Sequence, residues 1–146
     1  KMTKWRNKRG ASAVEFALIL PLLVCLLLGI VEFGLLMYNK AVITNASREG
    51  ARAGIVFSPR PDEAAIKQVV SDYADTHVVT FDPNKPKPST SLGANGSCDA
   101  FGEDLTVDVA YPYQFLVFSG LVNLLGPGGA MPGTVTLTAR TVMRCE

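Results

Sequence analysis

Residues 16–31 carry no charge at all, and they lie inside a longer apolar stretch, ASAVEFALILPLLVCLLLGIVEFGLLMY, that covers residues 11–38. As one helix that stretch would be roughly 40 Å long at 1.5 Å per residue, enough to cross a hydrocarbon core of about 30 Å. Pro21 lies within it, where prolines are tolerated because a membrane span can re-satisfy the freed backbone groups. A cleaved secretory signal is the rival reading. It would need a shorter apolar core followed by a small-residue site of the A-x-A kind. Here the apolar run continues into Glu32, Phe33 and Tyr38, and the small residues Gly10, Ala11, Ser12 and Ala13 come before it instead.

The charge distribution orients this span. Lys1, Lys4, Arg6, Lys8 and Arg9 precede Gly10 with no acid among them, whereas from Ala11 onward nine Lys/Arg face thirteen Asp/Glu. A basic head on a mildly acidic body is a membrane-orientation signal rather than a nucleic-acid footprint, and no nucleic-acid partner is expected. The positive-inside rule puts the N-terminus in the cytoplasm and everything after Lys40 on the far side of the membrane. Cys98 and Cys145 agree with that assignment, because disulfides persist in oxidising compartments such as the periplasm. Their alternative is a pair of reduced thiols. Cys25, inside the apolar run, reads as a small hydrophobe.

Beyond the span the helix is expected to continue through NKAVITNASREGARAG, giving one span-plus-extension over residues 11–57 that Ser58, Pro59 and Pro61 bring to an end. Ala46, Gly50, Ala53 and Gly54 recur at three- and four-residue spacing and form a small-residue stripe. Such a stripe packs either against the protein's own sheet or against another subunit's helix. Arg48, Glu49 and Arg52 fall on the remaining, solvated faces. Glu32 either marks the outer membrane boundary or pairs with a partner helix.

Residues 58–146 read as an α+β domain. A helix is predicted over 62–76, with Asp62 and Glu63 at its dipole's N-terminal end and Ile66, Val69, Val70 and Tyr73 on one apolar face. Residues 77–81 are a short strand candidate, 82–97 a loop, and Asn95-Gly96 a turn signal. Strict alternation of Leu105, Val107, Val109 and Tyr111 predicts a strand over 104–113. Residues 114–126 are apolar almost all round, yet too short and interrupted to span a membrane, which leaves a helix or loop over the sheet that touches the bilayer or a partner. After a Gly/Pro-rich turn at 126–133, Val135, Leu137, Ala139 and Met143 predict a last strand over 134–145. The expected product is a long helix, a short helix and about three antiparallel strands. A Cys98–Cys145 bridge would close a long loop and contribute about 4 kcal/mol to so small a sheet.

Catalytic chemistry is not apparent. His77 is the sole histidine and has no nucleophile near it in sequence; there is no Walker, GxGxxG, HExxH or CxxC pattern. Glu103, Asp104 and Asp108 are too ordinary a cluster for a calcium assignment. No enzyme activity, metal or cofactor is expected.

One pattern is more specific. A basic stretch ends in Gly10, four small or apolar residues follow, then Glu15, then the apolar helix. This resembles a type IV prepilin leader, and the segment RGASAVEFALILPLLVCLLLGIVEFG is similar to the TadE-like family, minor pilins or pseudopilins of Tad (Flp) pilus and secretion systems. NASREGARAG and the closing VMRCE resemble the same family. The resemblance implies a leader over residues 1–10, cut between Gly10 and Ala11 by a prepilin peptidase on the cytoplasmic face. Glu15 would then neutralise an Ala11 α-amine between neighbouring subunits, setting register. It further implies a single-pass protein of the bacterial inner membrane or the pilus, its C-terminal domain periplasmic or extracellular. Membrane lipid, other pilins or pseudopilins and inner-membrane Tad assembly proteins would be its partners, with Glu32, Ala46, Gly50 and Ala53 as possible helix contacts. The alternatives are an uncleaved, membrane-tethered extracytoplasmic binding module and an anchored enzyme or adhesin with a shaped pocket.

Overall fold

A computed structural model describes residues 8–56, 61–93, 96, 98, 100–116 and 133–145. Helix α1, Lys8–Gly54, is continuous over 47 residues and passes through Pro21 without a break. At 1.5 Å per residue it is about 70 Å long. Its two parts behave differently. Below Tyr38 almost every large apolar side chain is exposed, whereas Val42, Ile43, Ala46, Ser47, Gly50 and Ala51 are buried.

Those buried residues are covered by a second helix and a sheet. Helix α2, Glu63–His77, starts where the Asp62 carboxylate accepts the Ala65 backbone N–H at 2.8 Å. This satisfies one of the orphan amides of the first turn. Ile66, Val70 and Ala74 form its fully buried seam against α1. Strands β1 (Ser89–Leu92), β2 (Asp104–Gln114) and β3 (Thr134–Arg144) form an antiparallel sheet in the order β1-β2-β3. The inward face of β2 is Leu105, Val107, Val109, Tyr111 and Tyr113, all buried, as the alternation predicts. The outward face carries the register pairs Asp104↔Arg144 and Asp108↔Arg140.

A proline in a central strand needs explaining, since it cannot donate to a ladder. Pro112 is tolerated because of where β1 stops. Thr106 and Ala110 turn their carbonyls toward β1, accepting from Gly93 N–H and Ser89 Oγ, so by alternation Pro112 presents its nitrogen on that same side. The β1 ladder reaches only as far as the Ser89↔Ala110 pair, because Pro86 and Pro88 precede it. No rung is lost.

The close approach of α1 to the domain rests on two glycines. A Cβ on Gly50 would overlap Val70 Cγ2, and one on Gly54 would overlap Leu105 Cδ2 and come within 2.9 Å of Ile66 Cδ1. At the far end of the sheet Cys98 and Cys145 are joined by a disulfide, buried, with Cα atoms 5.8 Å apart and a sequence separation of 47. Gly96, with φ +64°, donates its N–H to Gly93 O at 2.9 Å and closes the turn before Cys98.

Three expectations change. Residues 78–81 are not a strand: His77 ends α2, and Val79 finds its partner in a side chain instead of a neighbouring strand. A strand does form inside the predicted loop, at Ser89–Leu92. It was hidden because STSL has no apolar alternation and sits at a sheet edge. The helix ends at Gly54, before the predicted stop at 58–61. The apolar segment and Gly/Pro turn expected over 114–133 are described only at 114–116 and 133; the rest lies outside the described residues, as do leader residues 1–7.

Candidate functional site

The surface that stands out is the apolar shaft of α1. Leu18 and Leu22 are 75% and 72% exposed, and Phe16, Leu26, Ile30 and Phe33 are each more than three-fifths exposed. In water this would be a severe liability, far beyond the patch size that a soluble surface carries. The described residues contain one helix long and apolar enough to cross a membrane, and it is this one. Gly10, Ala11 and Glu15 lie in its first turns, all helical and exposed, with open space around Gly10. Glu15 therefore projects from the shaft about one turn beyond Ala11.

The other predicted contact residues have different surroundings. Ala46 and Gly50 are buried, and Gly50 lies against Ile66 and Val70 of α2 and Val107 of β2, so the small-residue stripe is covered within this chain. Ala53 is half-buried. Glu32 is 5% exposed, and its carboxylate accepts the backbone N–H of Leu116, 84 residues away. Burial, the Glu32 charge and Tyr111 together hold the Tyr113 hydroxyl above its ordinary pKa of 10.0, so it stays protonated beside that carboxylate. Glu32 is thus the point where the shaft meets the foot of the sheet.

Sequence reasoning missed three further fasteners on α1. The Asn39 side chain, fully buried, donates to Val79 O at 2.7 Å and accepts from Val79 N–H at 3.0 Å. It supplies both halves of a strand-like rung, which is why residues 78–81 need no strand partner. Lys40 Nζ donates to Thr138 O on the open edge of β3. Ser47 and Thr141 share a hydroxyl–hydroxyl bond of 2.7 Å. The available signal was positional: Asn39 and Ser47 are polar, yet they follow the spacing of the small-residue stripe.

Among the described residues the remaining polar groups do not converge on one point. The outward face of the sheet has a shallow hollow of about 480 Å3, lined in part by Ser89, Ser91, Asp108, Thr138 and Arg140. There the Arg140 guanidinium grips Asp108 through two bonds of 2.6 and 3.0 Å, which raises its own pKa. His77 stacks on Tyr73 with ring centroids 4.4 Å apart, and its Nδ1 pairs with Tyr73 O. Among the described residues no three His, Cys, Asp or Glu side chains come together as metal ligands.

The family model of TadE-like protein matches residues 10–52. The N-terminal helix is TadE-like. This match covers the exposed shaft and most of the buried upper part of α1, and it suggests involvement in Tad pilus systems. No curated protein and no solved structure matches the chain.

Proposed function

We propose that this protein is a minor pilin or pseudopilin of a Tad (Flp) pilus or a related secretion system, working by helix packing and protein contacts rather than by catalysis. The observation that carries the reading is the exposed apolar shaft of α1, lying within the TadE-like match and preceded by Gly10, Ala11 and Glu15. The shaft sits in the bacterial inner membrane with the basic N-terminus in the cytoplasm and the α+β domain in the periplasm. A disulfide between Cys98 and Cys145 suits that oxidising side. A prepilin peptidase cuts between Gly10 and Ala11, and the freed amine pairs with Glu15 of an adjacent pilin helix. The neighbours are other pilins, inner-membrane assembly proteins and lipid.

Because Ala46 and Gly50 are already enclosed, contacts with neighbouring pilin helices fall to the shaft, below Tyr38. The test is the N-terminal residue of the protein recovered from its native membrane, read by mass spectrometry. Ala11 at the terminus is the expected result. An intact basic leader, in cells with an active prepilin peptidase, would exclude the pilin-subunit reading and favour an uncleaved, tethered binding module.

A further inference from the structure

The strands run alongside α1, and the contacts between them give the level of each residue along the helix. Gly54 meets Leu105, Ser47 bonds Thr141, Lys40 reaches Thr138 and Glu32 accepts from Leu116. From Gly54 down to Glu32 the helix descends about 33 Å at 1.5 Å per residue. From Leu105 to Gln114 strand β2 covers about 30 Å at 3.3 Å per residue, and Phe115 and Leu116 carry the chain on past its end. The two lengths agree, so β2 tracks the helix over nearly all of this distance and the two residues after it bring the foot of the sheet to the level of Glu32. The disulfide lies at the opposite end of the sheet, beside Glu103 and Arg144.

That foot is low relative to a membrane. Counting from Ala11, just after the last basic residues, about 20 residues of helix cross a hydrocarbon core, which places its outer boundary near Val31. Tyr38, half-exposed, is seven positions further out, where an aromatic ring suits the headgroup region. Leu116 packs into the seam formed by Leu28, Val31, Glu32 and Leu35, all on the membrane side of Tyr38. It is 51% exposed, beside Val31 at 50%. Phe115 lies next to it, edge-on to Tyr113 with ring centroids 5.6 Å apart.

We propose that Leu116, backed by the half-buried Phe115, forms a second membrane contact, in which the foot of the sheet enters the outer boundary of the bilayer beside the span and Glu32 holds it there. The occupant of this surface is lipid, because it continues without interruption from the exposed shaft. At that depth a non-helical backbone N–H cannot count on water and has to be satisfied internally. The Glu32 carboxylate does this for Leu116, and the same bond relieves a buried carboxylate. The α+β domain is thereby seated upright against the membrane surface instead of swinging from it. This inference rests on α1 spanning the membrane.

The test uses the full chain carrying Cys25→Ala, its disulfide intact, at high dilution in phosphatidylethanolamine–phosphatidylglycerol vesicles. These hold a nitroxide near the glycerol end of the acyl chain. A fluorophore is attached in turn at Leu116→Cys, at Leu22→Cys within the span, and at Phe101→Cys at the disulfide end. Leu116 is expected to be quenched several-fold more than Phe101, with Leu22 also quenched. Glu32→Ala should bring the Leu116 signal down toward that of Phe101, while Glu32→Gln, which keeps an acceptor oxygen, should preserve it. Quenching of Leu22 with Leu116 at the Phe101 level would overturn the second contact and leave the span standing. Absence of quenching at Leu22 would overturn the span reading and this inference with it. A Leu116 signal unchanged by Glu32→Ala would remove Glu32 from the role assigned to it.

Discussion

The lower and upper parts of α1 are one uninterrupted helix, and both are rich in small and apolar residues, yet they are solvated in opposite ways. Below Tyr38 the apolar side chains point in every direction, and most of them are covered by nothing in the described chain, Leu35 and Leu36 at the upper end excepted. Above Asn39 the small and apolar residues keep to one side, Ile43, Ala46, Gly50 and Gly54, while Arg48, Glu49 and Arg52 occupy the rest. A helix that is apolar all round calls for an apolar solvent; one with a single stripe calls for a partner on that side alone. The change occurs at Asn39, a polar residue fully buried where the stripe begins. The lower part depends on its surroundings and the upper part on the chain's own fold.

Changes that sharpen this contrast should act on the upper part and spare the lower one. The largest effect is expected from replacing both Cys98 and Cys145 with Ser. By the loop-entropy model the domain should lose about 4 kcal/mol. Hydrogen exchange in detergent should show residues 98–145 opening while protection along the shaft is unchanged; equal loss in both would contradict the division. Next comes a paired leucine substitution. Gly50→Leu forces a side chain into Val70 and should cost about 2 to 3 kcal/mol by overpacking, whereas Gly34→Leu, in open space, should stay within about 0.5 kcal/mol. Comparing their denaturation midpoints tests this directly.

Asn39→Ala comes third. It leaves the N–H and C=O of Val79 without their partner, and a loss of about 2 kcal/mol is expected. Faster proteolysis between α2 and β1 would report it, and no change would mean that water replaces the amide at no cost. The smallest effect concerns the junction itself. The Tyr113 pKa is raised in the folded chain, so its contribution is complete below pH 10.0 and fades as the pH climbs through the higher folded value. A steeper alkaline loss of stability in the native chain than in Tyr113→Phe is the expected result, measured by thermal unfolding across that range.

Much of the architecture was legible beforehand, for reasons that vary by element. The shaft could be read because its signal is compositional and needs no knowledge of neighbours. Ile66 and Val70 of the α2 seam and the inward face of β2 could be read because their periods, 3.6 and 2, separate two sides of an element, although Ala74 completes the seam while Val69 and Tyr73 stay half-buried. The edge strand β1 could not. Its STSL segment is strand only because β2 offers a ladder beside it, and the more apolar 78–81 is not strand because the Asn39 side chain takes both backbone groups of Val79. The stripe through Ala46 and Gly50 announced a close contact without saying with what, and α2 and β2 turned out to fill it.

For the candidate site the division follows the same line. Gly10, Ala11, Glu15 and the exposed shaft belong to one continuous helix, so their relation is local and follows from residue spacing alone. The role of Glu32 was open until the fold brought Leu116, 84 residues away, to its carboxylate. Asn39 meets Val79 across 40 residues and Lys40 meets Thr138 across 98. Such bonds depend on where whole elements come to rest against each other, and no short-range pattern of residues carries that information. Periodicity states which side of an element must be covered; packing of the assembled chain selects the cover.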